Sequence, residues 1–323
     1  MNRLATAVAL AVVAAGALAA CGTDANTTEA TGHGDLSQVT LRVGDQTGET
    51  RSRLTAAGLL KGLPYRIQWS TFPAAVNLHE ALRAGAIDVG AAADSPTVTA
   101  IVGGSRIEVV AAWKNGGVGN YLLVPKDSPI HKLADLRGKR ISPSTKGSVA
   151  HYLTLGVLKK AGLKPSDVKL NFLNPPDANA AFTNGGIDAW ATWGIFSARA
   201  RGAGARVLIS GKGINSGLNV LSATRTAYAD PKKKRAIADF SDRVTKGFTW
   251  ARDKPQDFDR WYAGFAKQPE NIAAQVRPDQ AAYRRVPLDG KLAAELQTTY
   301  KTWIAAGALP AGRNMADYVA PGG

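Results

Sequence analysis

The chain has 323 residues, of which 45% are hydrophobic and 20% charged, and its formal net charge is +15. This length is typical of about two domains, the composition excludes a disordered chain, and 34 glycines are too few for a collagen repeat. The single cysteine, Cys21, excludes a disulfide framework and a cysteine-built zinc site, and the four histidines form no H-x-x-x-H pair, so we predict no metal and no cofactor. The basic charge leaves three partner classes: nucleic acid, an anionic membrane surface and small anions.

The N-terminus has the pattern of a secretory signal, in which a short basic start precedes an apolar run. The run ends in Leu18-Ala19-Ala20-Cys21-Gly22, which looks like a bacterial lipobox, where the chain is cut before the cysteine and its thiol is acylated. A chance cysteine after an ordinary signal is the alternative. We therefore predict a signal peptide over 1–20, a lipid anchor on Cys21 and a flexible polar tether over 21–37. This places the protein in the cell envelope, outside the cytoplasmic membrane.

The rest of the chain alternates strands with helices. Predicted strands cover 39–43, 65–69, 87–90 and 107–112, and predicted helices cover 51–61, 73–84 and 95–102. After a break at Gly116-Gly117-Val118-Gly119, strands are predicted over 121–125, 139–141, 168–173, 187–190 and 206–209, with helices over 149–161, 177–183 and 196–201. A strand over 218–223 precedes a mostly helical part from Asp230 to about Tyr318. The alternation predicts an α/β protein with parallel sheets.

Two stretches 100 residues apart echo each other, Gly85-Ala86-Ile87-Asp88 and Gly185-Gly186-Ile187-Asp188. This pattern is common where a helix turns into a strand in α/β proteins, which explains the repeat as well as a duplication does. The repeat nevertheless favours two similar α/β lobes. We predict one lobe over 38–124 plus 223–323 and a second over 125–222, joined near 123–125 and 220–224. Ligands of open α/β sheets bind beyond the carboxyl ends of the strands, so we expect a cleft between lobes that close by a hinge.

Each lobe offers a candidate anion site where a helix begins after a strand. Asp94-Ser95-Pro96 starts a helix in the first lobe, although plain capping suffices to explain it. Ser144-Thr145-Lys146-Gly147-Ser148 lies between a strand and a helix in the second lobe, and its hydroxyls and N–H groups suit an oxyanion such as sulfonate. A capped helix with an exposed Lys146 is the alternative. The spacing is not that of a phosphate-binding P-loop.

The segment Trp190-Ala191-Thr192-Trp193 ends a strand. Trp190 and Thr192 share one face of that strand, so we expect Trp190 to line an apolar part of the cleft, unless it is half-buried packing. No hydrolase, metalloprotease or nucleotide-hydrolase motif is found, which predicts a protein that is not an enzyme. The basic run Pro231-Lys232-Lys233-Lys234-Arg235 has no nucleic-acid signature beside it and is typical of a solvated helix start.

From about Val39 to Val319 the chain resembles the solute-binding proteins of ABC importers, in the aliphatic-sulfonate, taurine and nitrate group. The motifs that carry the resemblance are Val43-Gly44-Asp45-Gln46-Thr47, Phe72-Pro73-Ala74, Leu82-x-x-Gly85-x-Ile87-Asp88-Val89-Gly90, Asp94-Ser95-Pro96, Ser128-Pro129-Ile130, Leu133-x-Asp135-Leu136-x-Gly138-Lys139, Lys146-Gly147-Ser148, Pro175-Pro176-Asp177-Ala178 and Gly186-Ile187-Asp188-Ala189-Trp190-Ala191-x-Trp193. The resemblance implies a two-lobed periplasmic-binding-protein fold of type II that closes over a small sulfonate-like anion, with an ABC permease and ATPase as partners. The ligand-facing positions that it implies are Gln46, Asp94, Ser95, Gly147, Ser148 and Trp190. Weaker candidates are Thr47, Lys146, Thr192 and Trp193.

The chain departs from this family at two cleft positions. Asp45 stands where the family usually has an aromatic residue, and Gly194-Ile195 stands where an acidic residue or alanine is usually followed by proline. The ligand is therefore left open among a sulfonate, another sulfur compound, nitrate and an aminopyrimidine. An enzyme of pyrimidine synthesis on the same fold is an alternative, but such relatives use a cysteine-rich segment and this chain has only Cys21. A sensor or adhesion module would need a further domain.

Overall fold

The computed structural model describes residues 35–321, so the predicted signal peptide, Cys21 and most of the predicted tether lie outside the described residues. The first part contains β1 (Thr40–Gln46), α1 (Glu49–Ala56), β2 (Arg66–Phe72), α2 (Ala75–Arg83), β3 (Val89–Ala93), α3 (Asp94–Val102) and β4 (Ile107–Lys114). The middle part contains β5 (Asn120–Val124), β6 (Arg140–Ser142), α4 (Val149–Lys160), β7 (Lys169–Leu170), α5 (Pro175–Thr183), β8 (Ala189–Trp193), α6 (Gly194–Gly202) and β9 (Arg206–Ser210). The C-terminal part contains β10 (Leu218–Thr224), α7 (Arg225–Ala229), α8 (Pro231–Asp253), α9 (Pro255–Ala266), α10 (Glu270–Ala281), β11 (Arg284–Val286) and α11 (Gly290–Ala305).

Each predicted strand and helix overlaps an observed element, and the differences lie mainly at the ends. β7 has two residues where a strand over 168–173 was predicted, and α1 ends at Ala56 instead of 61. The predicted helix start at Asp230-Pro231 is confirmed, because the Asp230 carboxylate accepts the backbone N–H groups of Lys232 and Lys233. The short strand β11 was not predicted. It lies in the part expected to be mostly helical.

The structure contains two mixed sheets instead of the predicted parallel ones. The first has the strand order β11-β4-β10-β3-β1-β2 and the second has the order β7-β6-β8-β5-β9. β1 is parallel to β2 and β3, and β6 is parallel to β7 and β8. β10 is antiparallel to its neighbours β3 and β4, and β5 is antiparallel to β8 and β9. The chain reaches each of these two strands by crossing over from the other lobe. Each strand therefore starts at the edge of its sheet where the neighbouring parallel strands end.

The chain crosses between the lobes at 115–119, after β4, and at 211–217, after β9. β5 therefore pairs in the second sheet and β10 in the first, whereas the predicted boundaries at 124/125 and 222/223 assigned these two strands the other way round. The glycine run marks the crossing in the sequence, but the pattern of a single strand does not say which sheet it joins. The two crossings touch, since a Cβ on Gly217 would lie 2.1 Å from the backbone nitrogen of Gly117. Which segments bend during closure stays a prediction.

The two similar lobes expected from the repeated sequence are present. The repeated residues make the same polar contacts in each lobe. In the first lobe the Asp88 carboxylate accepts the backbone N–H of Arg42 at 2.9 Å and its guanidinium at 2.6 Å, and the same guanidinium donates to the Gly85 carbonyl. The second lobe repeats these bonds with Arg140, Asp188 and Gly185. Each aspartate thus ties the loop before β3 or β8 to the neighbouring strand, β1 or β6.

The second sheet is buried on both faces. Ala189 and Ala191 of β8 belong to a core that includes Leu122, Ile141 and Leu153. On the opposite face, Trp190 belongs to a second core, which α9 and α10 complete with Phe258, Tyr262, Ala273 and Val276. The helices α9 and α10, which come after β10 and α8 of the first lobe in the chain, therefore cover the second lobe. None of the helices within residues 35–321 is long and apolar enough to cross a membrane.

Candidate functional site

A cavity of about 150 Å³ lies between the lobes, next to the carboxyl ends of β1, β3 and β8. This is the edge at which ligands of α/β sheets bind, and the volume is below that of pockets for drug-sized molecules. The first lobe contributes residues of β1, α1 and β3, and the second contributes the starts of α4 and α6. The crossing segments and the end of α10 complete the wall. The cavity suits a ligand of a few atoms that touches both lobes.

Asp45, at the end of β1, lines the cavity and caps α1. Its carboxylate accepts the backbone N–H groups of Thr50 at 3.1 Å and Arg51 at 2.8 Å. Burial raises the pKa of Asp45, and the two N–H groups oppose that shift. The N-terminus of α1 therefore already holds a carboxylate from the chain itself and does not offer its N–H groups to an anionic ligand.

Gln46 and Thr47, both predicted site residues, line the cavity directly after Asp45. The Gln46 side-chain amide donates to the Ala91 carbonyl at 2.8 Å, which ties β1 to β3. Thr47 has a positive φ of 58°.

Asp94 also lines the cavity, but its carboxylate is engaged by the protein. It accepts the backbone N–H of Ser95 at 2.8 Å, the hydroxyl of Ser216 at 2.7 Å and that of Thr299 at 2.6 Å. Burial raises the pKa of Asp94, and these hydrogen bonds oppose the shift. Asp94 thus joins β3, the second crossing and α11. Ser95 is buried and does not line the cavity.

In the second lobe, Ser148 lines the cavity as the N-cap of α4. Its hydroxyl oxygen accepts the backbone N–H of His151 at 3.1 Å, and the hydroxyl donates to the Pro143 carbonyl at 3.1 Å. The backbone N–H of Gly147 donates to Nδ1 of His151. Gly147 is buried but not part of the cavity wall, and Lys146 is exposed outside it.

Of the three predicted positions at the end of β8, only Trp193 lines the cavity. Trp190 is fully buried against Phe182 and Phe196, and Thr192 is also buried. The alternation of residues along β8 predicts that Trp190 lies on the open face of the strand. That face is closed by α9 and α10, which lie more than 60 residues later in the chain. A ligand contact for each of the ten predicted positions stays a prediction.

A charged pair on α1 that was not predicted, Glu49 and Arg53, also lines the cavity. One guanidinium nitrogen of Arg53 donates to the Gln280 side chain at 3.0 Å and lies 3.4 Å from a Glu49 oxygen. The guanidinium lies over the Phe248 ring, 4.2 Å from its centroid, and the buried Nε has no partner among the described residues. Burial lowers the pKa of Arg53 and raises that of Glu49. Only the i,i+4 spacing of the pair on a helix was visible in the sequence.

Asparagines at the two crossings also line the cavity and were not predicted. Nδ2 of Asn215 donates to the Val149 carbonyl at 3.2 Å, which leaves Oδ1 as its acceptor, and this buried Oδ1 has no partner among residues 35–321. Oδ1 of Asn219 is likewise buried and unpaired. The glycines beside these asparagines were the only sequence feature that could have pointed to them.

The lobes touch each other beside the cavity. The Thr99 hydroxyl of α3 lies 3.4 Å from the Gly147 carbonyl, and the Tyr152 hydroxyl of α4 donates to Thr302 of α11 at 3.2 Å. His151 packs against Trp303, with ring centroids 5.0 Å apart. Within the described part of the chain, no three His, Cys, Asp or Glu side chains are grouped to hold a metal ion.

A family model described as NMT1/THI5 like matches residues 71–258, more than half of the chain. The chain belongs to the NMT1/THI5-like family. Among solved structures, it is similar to the alkanesulfonate-binding protein SsuA from Xanthomonas axonopodis pv. citri bound to MOPS, with a TM-score of 0.78 and 29% identity. That similarity covers 87% of this chain and 97% of the other. The α/β architecture is that of a two-lobed periplasmic binding protein, as the resemblance implied.

Curated relatives of this NMT1/THI5-like chain match over shorter stretches. A protein of Escherichia coli (strain K12), whose name describes it as an aliphatic sulfonates-binding protein, is 37% identical over 54% of this chain. The match spans 56% of that relative's length. The taurine-binding periplasmic protein of the same organism is 34% identical over 39% of each chain.

Proposed function

We propose that this NMT1/THI5-like protein is an extracytoplasmic, lipid-anchored solute-binding protein that captures a small sulfonate-like anion by lobe closure and delivers it to an ABC permease and its ATPase. The observation that carries the proposal is a small cavity lined by residues of both lobes, since a ligand that contacts both lobes stabilises the closed state. The names of the relatives support the ligand class, and MOPS, bound in the SsuA structure, is itself a sulfonate. We propose binding without catalysis.

Two helix N-termini at the cavity support an anionic ligand. Ala75 of α2 and Gly194 with Ile195 of α6 line the cavity, and neither helix has a side-chain cap. Free N–H groups at a helix N-terminus carry about half a positive charge and attract anions. Arg53 adds a full positive charge to the same wall, with an Nε that has no partner within residues 35–321. A sulfonate has three acceptor oxygens, so these donors match it.

The test is titration calorimetry and thermal unfolding with propane-1-sulfonate, 2-aminoethanesulfonate and MOPS, each against a carboxylate of matched length. We expect at least one sulfonate to bind and its carboxylate partner to bind more weakly. A ligand present at 100 times its Kd should raise the free energy of unfolding by about 2.7 kcal/mol. If no sulfonate raises the melting temperature, or if the carboxylates do so equally, the proposed ligand class is wrong.

A further inference from the structure

A second cavity of about 450 Å³, the basal cavity, lies next to the starts of β1, β3, β4 and α8. It is at the opposite edge of the first sheet from the cavity between the lobes. Gln46 at the carboxyl end of β1 lines the cavity between the lobes, whereas Arg42 near the amino end lines the basal cavity. Ala93 and Asp88 are divided in the same way along β3. Because a strand rises about 3.3 Å per residue, the two cavities lie about 10 Å or more apart and can be occupied together.

The basal cavity has more bases than acids in its wall. Its ionisable residues are four bases and two acids, Arg42, Arg83, Arg106, Lys233, Asp88 and Asp230. The protein itself already uses both acids. Asp88 accepts hydrogen bonds from Arg42 and Lys233, and Asp230 caps α8. The wall therefore carries spare positive charge, for which the matching ligand is an anion.

The two other bases of the wall are available to such an anion. Arg106 is exposed, and its guanidinium has no partner within residues 35–321. Arg83 is 55% exposed and pairs with Glu80 on the surface of α2, and a surface ion pair of this kind contributes little to stability. Guanidinium groups bind phosphate through two parallel hydrogen bonds, so both side chains suit a phosphate group.

The basic run at the start of α8 extends this charge over the surface beside the basal cavity. Lys232, Lys234 and Arg235 are exposed and follow Asp230 in the chain. Apart from that capping residue, the start of α8 contains no acid. Positive side chains at a helix N-terminus are unfavourable for the helix, because the backbone dipole is positive there. Helix stability therefore does not explain the run, whereas the binding of an anionic surface does.

The chain enters the described fold at the same end. Leu36 belongs to one core with Ala227 of α7 and Ile237 of α8, and Ala227 also lines the basal cavity. The proposed lipid anchor, Cys21, precedes this point by a short segment, since a coil of about 14 residues spans on the order of 20 Å. An anchor there would hold the basal end, with its basic residues, near the membrane.

We propose that the basal cavity and the basic run bind the phosphate groups of anionic phospholipids, so that the first lobe rests on the membrane surface. Arg83 and Arg106 contact a headgroup in the cavity, and Lys232 and Lys234 contact its neighbours. A free phosphate ion has the same chemistry, but the exposed run extends beyond the cavity and fits a surface better than a single ion. The inference goes beyond the proposed function and uses only its location at the membrane.

The experiment measures how the chain over 22–323 sediments with vesicles of phosphatidylcholine, alone or mixed with an equal part of phosphatidylglycerol. This chain keeps all described residues and lacks the apolar run and Cys21, so neither can hold it on a vesicle. We expect binding to the anionic vesicles only. Since each basic residue near an anionic surface contributes about fivefold in affinity, Arg106→Gln with Lys232→Gln should weaken binding about 25-fold.

The matched control is Lys159→Gln with Lys160→Gln, which removes the same charge from the exposed end of α4 in the second lobe. It should change vesicle binding by less than about twofold, because these side chains lie away from the basal surface. If the two double variants lose binding equally, the overall charge of the chain attracts it to the vesicles and the basal site is wrong. Equal binding to vesicles of phosphatidylcholine alone, or to neither kind, also overturns the proposal.

Calorimetry with inorganic phosphate separates the two sources of the phosphate group. We expect phosphate alone to bind more weakly than the anionic vesicles, since it engages the cavity but not the run. If phosphate binds and the vesicles do not, the site takes a free anion and the membrane contact is wrong. Sulfonate titrations of Arg106→Gln with Lys232→Gln should match those of the wild type, so the vesicle result and the proposed function fail separately.

Discussion

At the scale of single residues, the polar side chains at the cavity divide into those already satisfied by the protein and those with unused donors or acceptors. Ser148 belongs to the first group, since its hydroxyl donates to Pro143 and accepts from His151. Arg53 and Asn215 belong to the second, because the Nε of Arg53 and the Oδ1 of Asn215 have no partner in the described part of the chain. Side chains with spare capacity are the ones that a ligand can engage without breaking a bond in the protein.

We expect Ser148→Ala to lower the free energy of unfolding by about 1 kcal/mol, because it removes an N-cap. The affinity for the tightest-binding sulfonate should change by less than about fivefold, since the hydroxyl proton is committed to Pro143 and one hydrogen bond contributes about 1 kcal/mol. Chemical denaturation and calorimetry measure the two effects. Ser166→Ala, on an exposed site, is the control. A tenfold loss of affinity would instead make Ser148 a direct ligand contact.

At the scale of elements, helix starts and strand ends determine how closely the lobes meet. Gly147, just before α4, has a φ of +81°, and a Cβ there would lie 2.8 Å from the Thr99 methyl carbon of α3. This contact joins the two lobes, so the absence of a side chain at Gly147 lets them approach. The close approach of the lobes at this point depends on Gly147 for space as well as for backbone conformation.

Gly147→Ala should therefore weaken sulfonate binding, on the order of tenfold, by penalising the closed state more than the open one. Gly138→Ala is a matched control, because Gly138 also has a positive φ, of +74°, but a Cβ there meets nothing within 4 Å. Both variants should lose a similar amount of stability without ligand, and only Gly147→Ala should lose affinity. Equal affinities in calorimetry for the two variants would contradict a steric role for Gly147 in closure.

The sequence predicted local elements well because hydrophobic period and helix starts are local signals, as at Asp230-Pro231. It did not predict which sheet β5 and β10 join, since strand pairing depends on residues far away in the chain. The buried position of Trp190 was missed for the same reason, because α9 and α10 cover it. The charged pair Glu49 and Arg53 carried no motif. Its place in the cavity follows only from the packing of α1 against α10 and Phe248.

At the scale of the whole molecule, the two lobes share one chain that crosses between them repeatedly. α8 packs on the first lobe through Phe240 and Val244, whereas α9 packs on the second through Phe258 and Tyr262. The Trp261 indole of α9 donates to Ser52 of α1 at 2.9 Å, which links these helices beside the cavity. The proposed anchor lies outside the described residues and can be tested on the whole protein only.

Cys21→Ser should abolish lipid labelling and release the protein from the membrane or leave it unprocessed, because serine has no thiol to acylate. Metabolic labelling with a fatty acid and fractionation of cells measure this. Ser37→Ala, at the end of the predicted tether, serves as a control that keeps the thiol. If Cys21→Ser still labels and still sediments with membranes, the cysteine is not the anchor.

β5 pairs in the second sheet and β10 in the first, and this pairing determines the order in which the lobes can be completed during synthesis. The second sheet is built from residues 120–210 alone, whereas the first needs strands from Thr40 to Val286. The second lobe can thus form its sheet first, although it comes later in the chain, but its Trp190 face stays uncovered until α10 has emerged. No lobe can be finished before about residue 281. The C-terminal helices must therefore leave the ribosome before either lobe can bury its full core, so both lobes acquire their final packing only near the end of synthesis.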